Sequence, residues 1–113
     1  MVTKLSRVGL QARMAGGEPI LVEALGPMYF EDAHLPGAIN VPYERVDELA
    51  PELLPDRDAE IVVYCASTTC QNSELAARRL EQLGYTNVAE YVDGKADWFE
   101  AGLPVETSAG VSA

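Results

Sequence analysis

Two cysteines, Cys65 and Cys70, are the side chains of this sequence best suited to covalent chemistry, and both lie in the segment CASTTCQNS of residues 65–73. The nucleophilic form of cysteine is the thiolate, and a free thiol with a pKa of about 8.5 is mostly protonated at neutral pH. Oriented backbone N–H groups or the start of a helix can lower that pKa to roughly 7. We therefore predict that Cys65 is a nucleophile of lowered pKa. The alternative is a small buried residue that ends a strand.

The neighbouring segments predict how this cysteine is positioned. Residues 60–64, EIVVY, have the β-branched and aromatic density of a buried strand of a parallel sheet. Apolar residues then recur at helical spacing from Ala76 onward, and Asn72 or Ser73 can cap that helix. In the order strand, loop, helix, the loop amides and the positive end of the helix dipole converge on the loop. Cys65 is predicted to face them from the end of the strand.

Composition and charge limit the functions open to the chain. Its 113 residues suit one domain, and no apolar run approaches the roughly 18 residues of a membrane span. The formal net charge of −10 disfavours nucleic acids and anionic membranes as partners and makes small anions harder to attract. Two cysteines and one histidine are too few for a disulfide scaffold, an iron–sulfur cluster or a zinc site, so we predict no metal and no cofactor. The first residues do not resemble a secretion signal, and we expect a cytoplasmic protein.

Strand and helix patterns alternate along the whole chain. Predicted strands cover residues 2–5, 19–23, 38–41, 60–64 and 87–91. Predicted helices cover residues 6–15, 28–33, 43–49, 73–83 and 96–101, with turns at 51–54 and at Gly94. This alternation predicts a mainly parallel α/β sheet with helices on both faces and a site outside the carboxyl ends of the strands. We assign residues 1–107 to one domain and expect residues 108–113 to be a frayed tail.

Three segments resemble the single-domain rhodaneses, or rhodanese-like sulfurtransferases. They are HLPGAINVP at 34–42, IVVYCAS followed by SELAARRLEQLGYTNV within 61–88, and DGKADWFEAGLPV at 93–105. The resemblance implies the three-layer rhodanese-like fold and a cysteine that accepts a sulfane sulfur as a persulfide and passes it to a thiol acceptor. The implied donors are thiosulfate, a polysulfide or a persulfidated protein. The sequence predicts no particular oligomeric state.

Carried onto this chain, the resemblance makes Cys65 the nucleophile. The active-site loop that would hold the thiolate and the persulfide comprises Ala66, Ser67, Thr68, Thr69, Gln71, Asn72 and Ser73. Its backbone N–H groups and the hydroxyls of residues 67–69 are the expected donors. Lys95, in the loop after the last predicted strand, is a candidate for steering an anionic donor.

Cys70 is a candidate resolving thiol, because a loop of this length can bring two Cα atoms within the roughly 4.4–6.8 Å that a disulfide requires. It could attack a Cys65 persulfide, releasing sulfide and leaving a Cys65–Cys70 disulfide, or resolve a Cys65 sulfenic acid. The alternative is that Cys70 is a small residue without a chemical role. A second functional hypothesis is therefore a thiol redox switch or a protein-interaction module that works through this disulfide.

The chain departs from the rhodanese pattern in two places. Its loop is two residues longer than in the family's sulfurtransferases, Asn72 stands in the place of an arginine, and the loop contains no Arg or Lys. Phosphatase or arsenate reductase chemistry on this fold is therefore disfavoured, and thiosulfate is a doubtful donor. The second departure is Glu23-Ala24-Leu25, where the family commonly has Asp-Val-Arg. Leu25 cannot form the arginine's ion pair, so we expect packing to support this region.

Three further sets of residues are interpreted as structural. His34 is expected to hydrogen-bond to local backbone. The resemblance implies that Trp98 packs the last helix on the sheet. Arg78 and Arg79 are expected on the solvated face of the central helix.

Overall fold

The computed structural model describes residues 2–107, and these form a single five-stranded sheet with helices on both faces. The elements in chain order are β1 (Thr3–Leu5), α1 (Arg7–Gly16), β2 (Ile20–Glu23), α2 (Pro27–Asp32), β3 (Ile39–Asn40), a 3-10 turn (Tyr43–Arg45), α3 (Val46–Leu53), β4 (Ile61–Tyr64), α4 (Asn72–Gln82), β5 (Val88–Tyr91) and α5 (Gly94–Glu100). The tail predicted for residues 108–113 lies outside the described residues.

The sheet has the strand order β1-β5-β4-β2-β3, and every neighbouring pair is parallel. The central strand β4 is buried along its whole length, as its apolar sequence predicts. Its register places Tyr64 beside Glu23 of β2 and Val63 beside Glu90 of β5. All five strands end at one edge of the sheet, and the loop that contains Cys65 begins there.

Side chains that alternate along the strands form two hydrophobic cores, one on each face. On one face, Val63 packs with α3 and α4 through residues such as Ala50 and Leu80. On the other face, Tyr64 packs with α1 and α5 through Leu10 and Trp98. The predicted α/β architecture with two covered faces is confirmed.

The largest differences from the sequence predictions lie at three places. Most of the segment predicted as a turn at 51–54 is helical, since α3 extends to Leu53. Pro51 lies in its last turn, where the missing N–H costs only one hydrogen bond. Burial of Val46 and Ala50 in the core stabilises the helix despite this cost. The residue before α4 is Gln71, and no side chain caps this helix. Gly94 begins α5 instead of opening a loop. Ser6 caps α1, since its hydroxyl accepts the Gly9 N–H at 3.2 Å.

No helix within residues 2–107 is both long enough and apolar enough to cross a lipid bilayer.

Candidate functional site

Cys65 follows β4 directly, and the start of α5 holds its backbone in place. The Lys95 N–H donates to the Cys65 carbonyl at 2.9 Å, and the Ala96 N–H donates to the Ala66 carbonyl at 2.8 Å. Gly94 makes this contact possible: its φ is +67°, and a Cβ atom there would lie only 2.5 Å from the Cys65 carbonyl oxygen. The first turn of α5 therefore sets where the loop leaves the sheet.

The thiol of Cys65 is buried, with 1% of the residue exposed. Its Sγ donates to the Ser73 hydroxyl oxygen at 3.2 Å and approaches the Cys70 carbonyl oxygen at 3.4 Å. Burial, followed by the neighbouring Cys70 thiol, raises the pKa of Cys65 to about 11, while the Ser73 side chain and backbone act in the opposite direction. The predicted lowering of this pKa is therefore wrong, because the thiol is desolvated and one of its neighbours is a carbonyl oxygen.

Two of the loop hydroxyls expected to donate to Sγ pair with each other instead, while the Ser73 backbone acts on the thiol and lowers its pKa. The Ser67 and Thr69 hydroxyls hydrogen-bond to each other at 3.0 Å in an exposed turn, and the Cys70 N–H donates to the Ser67 carbonyl at 3.1 Å. Thr68 is exposed at the tip of this turn, as are Ala66 and Gln71. Asn72 is half-buried at the start of α4.

A buried carboxylate, Glu90, completes the surroundings of the thiol. The Ser73 hydroxyl donates to Glu90 Oε2 at 2.7 Å, and Glu90 is 4% exposed. Sequence reasoning missed Glu90 because it assigned residues 87–91 only as a strand. The available signal was an acidic residue inside the apolar strand VAEY, since a carboxylate is almost never buried without a partner.

Lys95 does not lie at the mouth of the site, and the structure contradicts its predicted role in steering a donor. It is 7% exposed, and its ammonium donates to Glu23 Oε2 at 3.1 Å and to the carbonyls of Tyr29 and Ala33 at 2.9 and 2.7 Å. The Tyr64 hydroxyl donates to Glu23 Oε1 at 2.9 Å. Packing alone was expected to support the Glu23 region, but a buried ion pair does so as well.

Two titratable groups of this network have raised pKa values. Burial and the neighbouring Glu23 charge raise the pKa of Tyr64. Burial raises the pKa of Glu23, although Lys95 and Tyr64 act in the opposite direction.

The outer side of the loop borders an acidic cavity of about 280 Å³. Its lining comprises Ser67, Thr68, Asp93, Ala96, Asp97 and Glu100. Arg7 pairs with Asp97 at 2.9 Å, and the Tyr91 hydroxyl also donates to this carboxylate at 2.6 Å. Asp93 and Glu100 keep the cavity acidic, so the electrostatic potential there does not favour binding of a small anion. A larger cavity of about 770 Å³ lies between β1 and α4 and does not include Cys65.

The residues interpreted as structural are in structural positions. His34 Nδ1 lies 2.7 Å from the Phe30 carbonyl, and the ring stacks on Phe30. Trp98 is buried and donates to the Pro104 carbonyl at 2.8 Å. Arg79 pairs with Asp47 on the surface. Among residues 2–107, no three His, Cys, Asp or Glu side chains are grouped as a metal site requires.

The fold is that of an α/β protein with a parallel sheet and a cysteine directly after its central strand, followed by a loop that leads into α4. The family model for the rhodanese-like domain matches residues 6–101, and the chain belongs to this family. A structure titled thiosulfate sulfurtransferase from Pseudomonas aeruginosa matches with a TM-score of 0.80 and 28% identity, over 94% of this chain and 20% of that one.

Two curated relatives extend this comparison. The chain is 36% identical over 107 residues to the HTH-type transcriptional regulator Rv0324 of Mycobacterium tuberculosis, covering 95% of this chain and 46% of that protein. It is 36% identical over 69 residues to the putative sulfur carrier protein YrkF of Bacillus subtilis, covering 61% of this chain and 35% of that protein. The chain thus spans less than half the length of either relative. A third relative, thiosulfate sulfurtransferase PspE of Escherichia coli, is 34% identical over 62 residues, covering 55% of this chain and 58% of that protein.

Proposed function

We propose that this chain is a sulfurtransferase or sulfane-sulfur carrier in which Cys65 accepts a sulfur atom as a persulfide and passes it to a thiol acceptor. The observation that carries the proposal is a free, buried thiol at the carboxyl end of the central strand. Its Sγ is hydrogen-bonded to the Ser73 hydroxyl at the start of a helix. Sites of open α/β sheets lie at this edge. The relatives named as sulfurtransferases and sulfur carriers support the same chemistry.

The reaction has two displacement steps. The Cys65 thiolate attacks the sulfane sulfur of the donor, and a new S–S bond forms as the donor leaves with the electron pair of the broken bond. The acceptor thiolate then attacks the terminal sulfur of the persulfide, and Cys65 leaves as a thiolate. Because Cys65 is 1% exposed, the exposed turn of the loop has to move aside for both steps.

Charge favours a sulfur donor other than thiosulfate. The chain carries a formal net charge of −10, its loop has no Arg or Lys, and Asp93 and Glu100 line the cavity beside the loop. A dianion is repelled by such a surface, whereas a persulfide carried by a protein with a basic surface is attracted. We propose a persulfidated protein or a polysulfide as donor and a thiol on a protein as acceptor.

Intact-mass spectrometry of the reduced protein tests the function. After brief incubation with a cysteine-derived polysulfide, wild type should gain one sulfur, about 32 Da, as expected for a persulfide. A separate incubation with thiosulfate should give a smaller gain, because the acidic surface repels this dianion. Cys65→Ser should show no gain, whereas the matched variant Cys70→Ser should retain it. Addition of a low-molecular-weight thiol should remove the added mass.

The same spectra report on the redox hypothesis. A wild type that gains no sulfur from either donor, but loses two hydrogens on mild oxidation, would overturn the proposal in favour of a Cys65–Cys70 disulfide switch. The resolving role of Cys70 is ruled out if oxidised wild type shows no such loss.

A further inference from the structure

We propose that Glu90 takes up the proton of Cys65 through the Ser73 hydroxyl, so that the thiol ionises without placing a new charge in the buried site. This role rests on the proposed sulfur transfer, because a displacement reaction requires the thiolate. Glu90 does not touch Sγ. It acts by accepting the proton that Ser73 gives up.

Two consecutive hydrogen bonds of defined direction join the three side chains. Cys65 Sγ donates to Ser73 Oγ at 3.2 Å, and Ser73 Oγ donates to Glu90 Oε2 at 2.7 Å. All three residues are buried, with exposures of 1%, 1% and 4%. The Ser73 hydroxyl has one proton, and that proton points to the carboxylate. In the resting state Ser73 is therefore an acceptor toward the thiol, and it can donate to a thiolate only after its own proton has moved to the carboxylate.

The position of Glu90 in the fold is unusual for a carboxylate. It lies on β5, whose four residues are all buried, and the register places it between Lys4 of β1 and Val63 of β4. Burial of an ionised carboxylate is costly unless hydrogen bonds or a cation offset the cost. A valine here would continue the apolar face of the strand, so a carboxylate next to a reactive thiol points to a chemical role.

The charged groups around Glu90 come from three elements. The cavities that Glu90 lines also include Lys4 of β1, Glu74, Arg78 and Glu81 of α4, and Cys70 of the loop. Glu74 lies 3.8 Å from the Lys4 ammonium and 3.6 Å from the Arg78 guanidinium. These surface pairs are accessible to solvent and screened, so the contact of Glu90 with Ser73 is the one through which it reaches the thiol.

The proton transfer conserves atoms and charge. The Cys65 proton moves to Ser73 Oγ as the Ser73 hydroxyl proton moves to Glu90 Oε2. The products are a thiolate, a serine hydroxyl that now points at Sγ, and a neutral carboxylic acid. The single negative charge has moved from Glu90 to Sγ. When Cys65 leaves the persulfide as a thiolate, the reverse movement restores the thiol.

The pH dependence of Cys65 alkylation by iodoacetamide, resolved by peptide mapping, tests the relay. In wild type the rate should be nearly constant from about pH 6 to pH 8, because the carboxylate takes the Cys65 proton through Ser73 as the sulfur attacks, and no proton is first lost to solvent. In Glu90→Gln, which keeps the shape and an acceptor oxygen, Cys65 must ionise to solvent, and its rate should rise about tenfold per pH unit. At pH 6 we expect Glu90→Gln to be slower by about tenfold to a hundredfold, at or below the usual contribution of a positioned proton acceptor.

Three further variants sharpen the test. Glu74→Gln is the matched control, because the Glu74 carboxylate borders the same cavities but pairs with Lys4 and Arg78, and its profile should equal that of wild type. Ser73→Ala should lose at least as much rate as Glu90→Gln, and Ser73→Ala/Glu90→Gln should lose no more than Ser73→Ala. Near pH 10 the Glu90→Gln rate should meet or exceed that of wild type, since a neighbouring negative charge has been removed.

Two results would overturn the relay. A Glu90→Gln rate at pH 6 equal to or above wild type would mean that the carboxylate only opposes thiolate formation. A uniform loss of rate at every pH would mean a structural role. The mass gain of the persulfide is measured in a separate experiment. Normal sulfur uptake by wild type, together with equal alkylation profiles for wild type and Glu90→Gln, therefore rejects the relay alone. A flat wild-type profile without sulfur uptake rejects the proposed function alone.

Discussion

Two buried carboxylates flank the strand that leads to Cys65, and the protein holds them in different ways. Glu23, on β2, lies on the α5 face and accepts hydrogen bonds from Tyr64 and from the Lys95 ammonium. Glu90, on β5, lies on the α4 face and accepts a hydrogen bond from the hydroxyl of Ser73. Glu23 is 0% exposed and has its cation, whereas Glu90 borders open cavities and is one hydroxyl away from a thiol.

The two buried carboxylates have different partners on the two faces of the sheet, and these partners indicate different roles. The Glu23 network joins α2, β2, β4 and α5, and its removal leaves an uncompensated charge in the core. The hydrogen bonds from Glu90 lead through Ser73 to the reactive group, the Cys65 thiol, which is a weak donor. One carboxylate is expected to stabilise the fold and the other to serve chemistry. The following measurements test this division, from the largest expected effect to the smallest.

Lys95→Met should lower the free energy of unfolding by about 3–5 kcal/mol at neutral pH, because it leaves Glu23 buried without its cation. Burial raises the pKa of Glu23, and a protonated carboxyl costs less to bury. The deficit should therefore be full above the raised folded-state pKa and should shrink as pH falls toward the usual value of 4.5. Urea unfolding at two pH values measures it.

The control for this prediction is Lys4→Met. The Lys4 ammonium lies 3.8 Å from Glu74 on the surface, and its loss should cost less than about 1 kcal/mol. Equal losses in the two variants would remove the distinction between the buried pair and a surface pair.

Gly94→Ala should lower the free energy of unfolding by about 2–3 kcal/mol, because the new Cβ would meet the Cys65 carbonyl oxygen at 2.5 Å on a backbone with φ of +67°. Gly102→Ala is the matched control. Its φ is +72°, but nothing lies within 4 Å of the added Cβ, so only the backbone strain of about 1 kcal/mol remains. Thermal unfolding of both variants gives the difference. Equal losses would show that the contact between α5 and Cys65 is not tight.

The thiol of Cys65 should make stability depend on pH in the alkaline range. Its pKa is raised in the fold, from 9.0 to about 11, so this contribution is complete below the unfolded-state value and is lost as pH rises through the folded-state value. Between these two values wild type should lose about 2 kcal/mol more than Cys65→Ser. Urea unfolding across this range measures the difference. Parallel curves for the two proteins would mean that the thiol titrates normally.

Glu90→Gln should change the free energy of unfolding by less than about 1 kcal/mol, because the amide keeps an acceptor for Ser73 and removes a buried charge. Glu23→Gln is the direct counterpart, and it should cost about 3 kcal/mol, since it leaves Lys95 buried without an anion. Urea unfolding compares them. Similar losses at the two positions would show that both carboxylates are structural and would remove the contrast between the two faces.

The sequence by itself determined the parallel α/β fold, the family and the position of Cys65. These follow from features that are local in the chain: the apolar run 60–64, the helical spacing after it, and the segments 34–42 and 93–105. Each is a pattern of period or composition within a few residues, and such patterns are set by backbone geometry. The end of α3 beyond Pro51 and the start of α5 at Gly94 were not predicted, because both depend on which neighbouring residues are buried in the folded chain.

Only the tertiary structure decided which charges meet. Lys95 and Glu23 are 72 residues apart, and Ser73 and Glu90 are 17 apart, so no local pattern joins either pair. The parallel register places Glu23 and Glu90 on either side of β4, and the alternation of side chains sends them to opposite faces. The raised pKa of Cys65 also has a tertiary origin: the local motif predicts a thiolate, but burial of the thiol in the folded chain outweighs the opposing effect of Ser73.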